Sequence, residues 1–313
     1  MNLILVVGAP RSGTTLLQTL IACHPQVCTA PETHFFARLT SAALYERNLP
    51  PLFPRPLPPT LTHDAAEHYL AGRSRNPEQG PAYWEARLPA GDPLDIRVVA
   101  DVFFESFKTD ARQTTFLEKS PPHVFFIPQI RQAFPEARIV NIVRDPRDVV
   151  VSFNRMLAKK NKQPRPIHEA AMVWERSVRA AAGQDLYTIR YEELVADKEA
   201  VLADVYRHLE LDFSPSMLEH YDAAARDSVR DDEIWKQNNL APVNQAGQGG
   251  SRSALTEPDN ALIEGLCSAG MQRYGYDCTA RAPIMRVLAA RIAFASYRVR
   301  RLLGSLSRLP WQP

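Results

Sequence analysis

The stretch that most constrains the fold of this chain is LILVVGAPRSGTTLLQTLIACHP, residues 3–25. Its five leading apolar residues run into Gly8, and such a short apolar run is typical of a strand buried on both faces of a parallel sheet. From Thr14 onward, leucines at helical spacing predict a helix. This helix ends at His24-Pro25, because proline cannot continue it and restrains the residue before it. The sequence therefore places a glycine loop between a strand and a helix.

The loop GAPRSGTT, residues 8–15, predicts an anion-binding site. Backbone amides of a glycine loop that enters a helix can cradle a phosphate. The P-loop pattern G-x-x-x-x-G-K-[ST] requires lysine where this chain has Thr14, and the strong cation of the loop is instead Arg11. No convincing aspartate for Mg²⁺ follows, since IVNIVRDP puts Arg144 before Asp145. The loop thus suits a transferred group that carries less charge than a γ-phosphate and needs no metal, such as a sulfonate.

Strand and helix patterns alternate along much of the remaining chain. Predicted strands lie at 114–120, at 137–145 and in a segment ending near Tyr191; predicted helices lie at 122–134, 146–160, 198–211 and 258–274. This alternation favours an α/β fold, a P-loop-like doubly wound parallel sheet flanked by helices. We predict an α/β domain over residues 1–280 with a helical insertion at about 40–113, and a basic C-terminal helix over 281–313.

Charge and composition bear on the partners, the location and the thiol state of this protein. A net charge of +2 over 313 residues gives no support for a nucleic-acid partner. The first apolar run has no basic segment before it, so we predict no signal peptide and a cytoplasmic location. Four cysteines without a C-x-x-C pair are interpreted as reduced thiols, with a Cys267–Cys278 bridge as the alternative.

The C-terminal segment is strongly basic. After Asp277 there are seven arginines and no acidic residue, and apolar residues recur at helical spacing. One interpretation is a terminal helix packed on the domain. The other is a basic amphipathic helix, residues 281–308, that makes peripheral contact with an anionic membrane or a partner.

Two motifs together resemble a known family. PRSGTT after the first strand resembles the 5′-phosphosulfate loop of sulfotransferases that use 3′-phosphoadenosine 5′-phosphosulfate (PAPS), and IVNIVRDPRDVVVSF resembles their 3′-phosphate motif. The resemblance covers most of residues 3–277 and is greatest to the branch of tyrosylprotein sulfotransferases and bacterial relatives. It implies PAPS as co-substrate without a metal, and it implies these cofactor-binding residues: Arg11, Ser12, Gly13, Thr14, Thr15, Arg144, Ser152, Tyr191, Ser251 and Arg252. The branch has a second arginine where this chain has Met156. A surface ion pair with Asp145 or Asp148 is the alternative for Arg144.

The same resemblance implies the catalytic residues. Glu32, in PET after the second strand, matches the catalytic base, and Arg11 and Lys119 match the cations that stabilise the bridging oxygen. The alternatives are a solvated or capping carboxylate for Glu32 and a surface lysine for Lys119. His123 is the rival base, because cytosolic small-molecule sulfotransferases use a histidine just after a similar lysine; its alternative is a structural histidine.

The sequence does not identify the acceptor, because the insertion has no counterpart in the family and such variable segments shape acceptor pockets. The resemblance implies metal-free in-line transfer to a hydroxyl, with an amine as second choice, on a metabolite, lipid, glycan or peptide tyrosine. The other hypotheses are a non-catalytic protein that binds adenosine 3′,5′-bisphosphate, a P-loop-like small-molecule kinase, and a membrane-surface scaffold.

Overall fold

A computed structural model describes residues 1–40, 57–71, 81–228 and 254–306. The strands are β1 Asn2–Gly8, β2 Val27–Thr29, β3 Thr60–Leu61, β4 Leu94–Asp95, β5 Thr115–Lys119, β6 Arg138–Val143 and β7 Tyr187–Arg190. Five of them form one parallel sheet in the order β2-β5-β1-β6-β7. The predicted parallel α/β fold is confirmed.

Helices surround this sheet. They are α1 Thr14–Ile21, α2 Phe35–Thr40, α3 His63–Leu70, α4 Pro81–Glu85, α5 Ile96–Glu105, α6 Ile127–Ala133, α7 Pro146–Lys159, α8 Ile167–Ala182, α9 Tyr191–Ala196, α10 Lys198–His208, α11 Tyr221–Ser228, α12 Glu257–Arg273 and α13 Ile284–Leu306. Two 3₁₀ turns lie at Pro121–Phe125 and Pro215–His220. None of the described helices is long and apolar enough to cross a bilayer.

The central strand β1 is buried on both faces, as its continuous apolar run predicts. Leu3, Leu5 and Val7 contribute to one apolar cluster, and Ile4 and Val6 contribute to another. Because all five strands are parallel, their carboxyl ends meet at one edge of the sheet. The register pairs Gly8 with Ile142 and Val6 with Lys119, so the loops that follow β1, β5 and β6 start side by side.

The first face of the sheet is covered by α2 and by the insertion that contains α3 and α5. Aromatic rings dominate its core: Phe104 stacks on Phe116 with centroids 4.1 Å apart, and Phe35 stacks on Phe103 at 5.2 Å. The insertion also contains the short antiparallel pair β3–β4, which the sequence did not predict, because two-residue strands are too short to show alternation. Parts of the predicted insertion, residues 41–56 and 72–80, lie outside the described residues.

A second group of helices, α7, α8, α12 and α13, packs together beside the sheet. Trp174 of α8 is fully buried there, and Gly270 of α12 leaves room for it, since a Cβ at that glycine would lie 2.7 Å from the indole. The indole Nε1 donates to the backbone oxygen of Arg144 at 2.9 Å. This hydrogen bond anchors the chain where β6 leads into α7.

Two local predictions differ from the structure. Residues 122–134 do not form one helix: a 3₁₀ turn precedes α6, because Pro128 would lie inside a continuous helix, where its missing N–H breaks the hydrogen-bond pattern; it lies instead in the first turn of α6. The alternative Cys267–Cys278 bridge is wrong, because Cys267 is buried and donates to the Ala171 oxygen at 3.4 Å. All four cysteines are free thiols; Cys278 is exposed and the other three are buried.

Candidate active site

The first loop of the site connects β1 to α1 through residues in left-handed conformations. Arg11 has φ 73° and Gly13 has φ 96°. A Cβ at Gly13 would lie 2.5 Å from Cδ2 of Tyr191, so only glycine lets the tyrosine ring approach this loop. The glycine therefore serves both the turn and the contact with α9.

The loop and the start of α1 contain several groups that can donate hydrogen bonds. The hydroxyl of Ser12 is buried and has no hydrogen-bond partner within the described part of the chain. Gly13 has no side chain to cap α1, and the first N–H groups of a helix lack intrahelical acceptors. Together with the nearly buried hydroxyls of Thr14 and Thr15, these donors fit an anion.

The second loop connects β6 to α7. Asp145 caps α7 by accepting from the Arg147 N–H at 2.9 Å, and Pro146 occupies the first turn. Arg144 immediately precedes the cap, with 7% of its surface exposed, so the surface position of the alternative interpretation is wrong. Its guanidinium carbon lies 4.2 Å from the centroid of the Tyr191 ring.

A buried ion pair holds this second loop in place. Arg147 donates to both carboxylate oxygens of Asp145 at 2.9 and 2.7 Å, and to Glu264 of α12 at 2.7 Å. Asp145 also donates its N–H to Glu192 at 2.9 Å, and Glu192 accepts from the Tyr276 hydroxyl. These contacts bind the starts of α7 and α9 together, and so fix Arg144 relative to Tyr191.

The two loops are also in direct contact. Arg11 Nε donates to Ser152 Oγ of α7 at 3.3 Å. Tyr191 provides a second link, since its ring contacts both Gly13 and Arg144. The structure thus brings the two motifs that the sequence predicts to bind phosphates into contact with each other. Ser251 and Arg252 lie outside the described residues.

A carboxylate and a lysine meet at the neighbouring strand ends. Lys119, the last residue of β5, is wholly buried, and its Nζ lies 2.8 Å from Glu32 Oε1. A surface position for Lys119 is therefore wrong. Glu32 follows β2, the neighbour of β5, and keeps 11% of its side chain exposed. Its other oxygen lies 3.5 Å from His34 Nε2, and His34 has φ 56°.

A buried polar cluster supports this pair from behind. Glu118 accepts from Thr33 Oγ1 at 2.9 Å and from Ser120 Oγ at 2.6 Å, and Ser120 Oγ accepts from the His34 N–H. Burial raises the pKa of Glu118 to about 7. His123 Nδ1 lies 3.6 Å from Glu118, and burial, with a smaller effect of His34, lowers the pKa of His123 well below 6.5.

The sequence analysis did not select His34, Thr33, Glu118 or Ser120. The only signal was their position beside Glu32 and Lys119 in the segments PETH and LEKS. Within a strand, successive side chains point to opposite faces, so strand periodicity gives no reason to group Glu118 with Lys119. The hydrogen bonds of Glu118 to residues after β2 depend on which strands are neighbours.

Comparisons with known proteins identify the family of this chain. A family model described as "Sulfotransferase family" matches residues 4–215, more than half of the chain. An omega-hydroxy-beta-dihydromenaquinone-9 sulfotransferase, Stf3 of Mycobacterium tuberculosis, is 26% identical over 223 residues, which are 64% of this chain and 51% of the relative. A putative protein-tyrosine sulfotransferase of Caenorhabditis briggsae is 23% identical over 71% of this chain and 70% of its own length. The chain spans about half of the mycobacterial relative, and 26% of an uncharacterized Aquifex aeolicus protein to which it is 22% identical.

Solved structures share the fold. The sulfotransferase domain of the Synechococcus PCC 7002 olefin synthase superposes with a TM-score of 0.59 at 21% identity, covering 89% of this chain and 96% of that domain. The sulfotransferase domain from the curacin biosynthetic pathway has a TM-score of 0.51 at 17% identity, covering 89% and 99%. With the family match over the region that carries both loops, the chain belongs to the sulfotransferase family.

Proposed function

We propose that this protein transfers a sulfonate group from PAPS to a hydroxyl. The observation that carries the proposal is the convergence of the two loops, since Arg11 contacts Ser152 across 141 residues of sequence and Tyr191 contacts both Gly13 and Arg144. A nucleotide phosphorylated at both its 3′ and 5′ positions needs two such anion sites near each other.

Each loop binds one phosphorylated end of the nucleotide. The α1 amides, Arg11, and the hydroxyls of Ser12, Thr14 and Thr15 bind the 5′-phosphosulfate end. Arg144 binds the 3′-phosphate through its guanidinium, which Tyr191 supports from one face, and Ser152 contributes its hydroxyl. The buried, unpartnered hydroxyl of Ser12 fits this assignment. Ser251 and Arg252 remain predicted nucleotide contacts.

Glu32, Lys119 and Arg11 perform the transfer, and the proposed step uses no metal. The acceptor oxygen attacks sulfur, the bond from sulfur to the bridging phosphate oxygen breaks, and the acceptor proton passes to the Glu32 carboxylate. Lys119 and Arg11 stabilise the negative charge that develops on the departing phosphate oxygen. The products are the sulfated acceptor and adenosine 3′,5′-bisphosphate.

The ion pair between Glu32 and Lys119 suggests how the two roles are coordinated. Lys119 is held against Glu32 at 2.8 Å. A donor anion competes with Glu32 for the lysine, and the carboxylate oxygen released by this exchange can accept a proton. Lys119 therefore links donor binding to activation of the base.

Glu32 is a better candidate base than His123. His123 is completely buried, and its lowered pKa makes it a weak proton acceptor at neutral pH. Glu32 retains solvent exposure, so an acceptor can reach it. The named acceptors of the relatives, an omega-hydroxy menaquinone derivative and protein tyrosine, both offer a hydroxyl. We extend only this hydroxyl chemistry to the present chain.

The proposal is tested by two measurements on one set of proteins. Calorimetry measures affinity for adenosine 3′,5′-bisphosphate, and radiolabelled PAPS measures transfer to pools of hydroxyl acceptors. We expect Glu32→Gln to retain bisphosphate affinity and to lose transfer by about a hundredfold or more, since loss of a general base has this magnitude. Glu105→Gln, at a surface ion pair with Lys108, is the matched control and should match the wild type. Wild-type protein that does not bind the bisphosphate contradicts the proposal, and binding without transfer supports the non-catalytic alternative.

A further inference from the structure

The C-terminal helix α13 packs on the described part of the domain through one face. Ala290 and Phe294 are buried among residues of α8 and α12, and Arg176 of α8 lies over the Phe294 ring at 5.5 Å. Val287 packs against Gly265, where a Cβ would lie 2.8 Å from the valine methyl. The helix is thus a fixed part of the structure, with a defined inner and outer face.

The outer face of α13 is apolar. Among the described residues, six large hydrophobic side chains are exposed, and five of them lie on this helix: Ile284, Met285, Leu288, Ile292 and Val299. At 3.6 residues per turn, these five positions share an arc of about 100°. We call them the apolar stripe. Ile284 is 81% exposed and Ile292 is 58% exposed, values uncommon for side chains of this size on a surface.

Positive charge borders the apolar stripe. Arg291 and Arg300 are exposed, and α13 contains no acidic residue. By helical spacing Arg291 lies about 20° outside one edge of the stripe and Arg300 about 60° outside the other. The whole chain has a formal charge of +2, of which residues 278–313 contribute +7, so the other residues sum to −5. The excess of positive charge is therefore concentrated in the segment that carries the stripe.

We propose that α13 docks this protein on an anionic phospholipid bilayer, with the apolar stripe inserted at the level of the acyl chains and the flanking arginines on lipid phosphates. Arginine suits this position, because its apolar stem lies along the buried surface while the guanidinium reaches the headgroups. At 1.5 Å per residue, 23 residues give a helix about 35 Å long that lies in the membrane surface.

The positive charge of α13 favours an anionic bilayer over a second copy of the chain as the partner of the apolar stripe. A twofold dimer through the apolar stripe would place the arginines of both copies against each other without an acidic partner on either helix. An anionic lipid surface instead offers many phosphates to the same arginines. This inference does not rest on the proposed sulfonate transfer, since no residue of α13 belongs to the candidate active site.

The test measures co-sedimentation of the full-length protein with two kinds of vesicle, phosphatidylcholine alone and phosphatidylcholine mixed with phosphatidylglycerol. We expect at least tenfold tighter binding to the anionic vesicles, and a loss of this preference at high salt. Ile292→Ser should weaken binding about tenfold, and Arg291→Gln about fivefold. Val98→Ser, at the exposed hydrophobic residue outside α13, is the matched control and should bind like the wild type.

Two further measurements keep the outcomes distinct. Melting temperature and affinity for adenosine 3′,5′-bisphosphate should be unchanged in all three variants, which separates membrane docking from folding and from nucleotide binding. The proposal is overturned if the wild-type protein binds neither kind of vesicle, or if it binds neutral and anionic vesicles equally. A dimer in sedimentation equilibrium that Ile292→Ser dissociates also overturns it, because the apolar stripe is then covered by a second copy.

Discussion

Arg11 Nε and Ser152 Oγ lie 3.3 Å apart, although one residue belongs to the first loop of the chain and the other to the middle of α7. Ser152 comes two helical turns after the cap that follows Arg144. The helix that follows Arg144, assigned to the 3′-phosphate, thus brings a hydroxyl into contact with Arg11, assigned to the 5′ end of the nucleotide.

Removing this hydroxyl should weaken nucleotide binding. We expect Ser152→Ala to lower affinity for adenosine 3′,5′-bisphosphate about tenfold, because a hydrogen bond to a charged group is lost and Arg11 loses its hydrogen bond to this hydroxyl. Isothermal titration calorimetry measures the change. Ser177→Ala removes a hydroxyl that bonds only the Val173 oxygen, and it should leave affinity unchanged. An unaltered affinity in Ser152→Ala would argue against the assigned role.

The arginines at 144 and 147 should separate binding from stability. Arg144→Met should lower bisphosphate affinity about thirtyfold, in line with loss of a charge-assisted contact to phosphate. Arg147→Met should instead lower the free energy of unfolding by about 3–5 kcal/mol, because it leaves Asp145 and Glu264 buried without their cation. Urea unfolding and calorimetry on both variants provide the comparison. Reversed effects would contradict the assignment of the two arginines.

Two glycines with positive φ should respond differently to the same substitution. Gly275→Ala, at φ 68° with open space around its Cβ, should cost about 1 kcal/mol from backbone conformation alone. Gly13→Ala adds a clash with Tyr191 and should cost about 3 kcal/mol. It should also abolish measurable bisphosphate binding, since the tyrosine must move. Equal losses of stability in the two variants would show that the Tyr191 contact is unimportant.

Glu118 should make stability depend on pH. Its pKa is about 7 in the folded protein and near 4.5 when unfolded, so between these values the folded state binds more protons. The free energy of unfolding should therefore fall as pH rises through this window, by about 3 kcal/mol from this residue. Glu118→Gln removes this contribution, so its stability relative to the wild type should increase from pH 4.5 to pH 7. Chemical denaturation at several pH values measures the difference, and parallel curves would disprove it.

Local patterns predicted the elements that carry the two loops. The helix expected at 146–160 is α7, Pro146–Lys159, because its proline, its cap and its apolar spacing all lie within one short segment. The strand before Gly8 was predicted on an equally strong local pattern, because a short unbroken apolar run is typical of a strand buried on both faces of a sheet. Both loops follow parallel strands of one sheet, so Arg11 and Arg144, which the resemblance implied as contacts of one nucleotide, lie at the same edge of that sheet.

Contacts that depend on the order of the strands in the sheet could not be predicted from the sequence. Glu32 reaches Lys119 because β2 pairs with β5, although the insertion separates the two strands along the chain. No local signal reports that pairing. The ion pair of Asp145 with Arg147 was also not predicted, since an ion pair with Asp145 or Asp148 entered only as the alternative for Arg144. Arg147 also binds Glu264 of α12, a contact between helices far apart in the sequence that leaves no local signal.

The distribution of thiols offers a practical tool. Burial raises the pKa of Cys23 to about 11 and that of Cys28 to about 12, and Cys267 is buried as well, so these three should resist alkylation in the folded protein. Cys278 is exposed and lies six residues before α13 begins. A maleimide fluorophore should thus attach at one native position, next to the helix assigned to the bilayer. Its emission would report on vesicle contact in the unmutated protein.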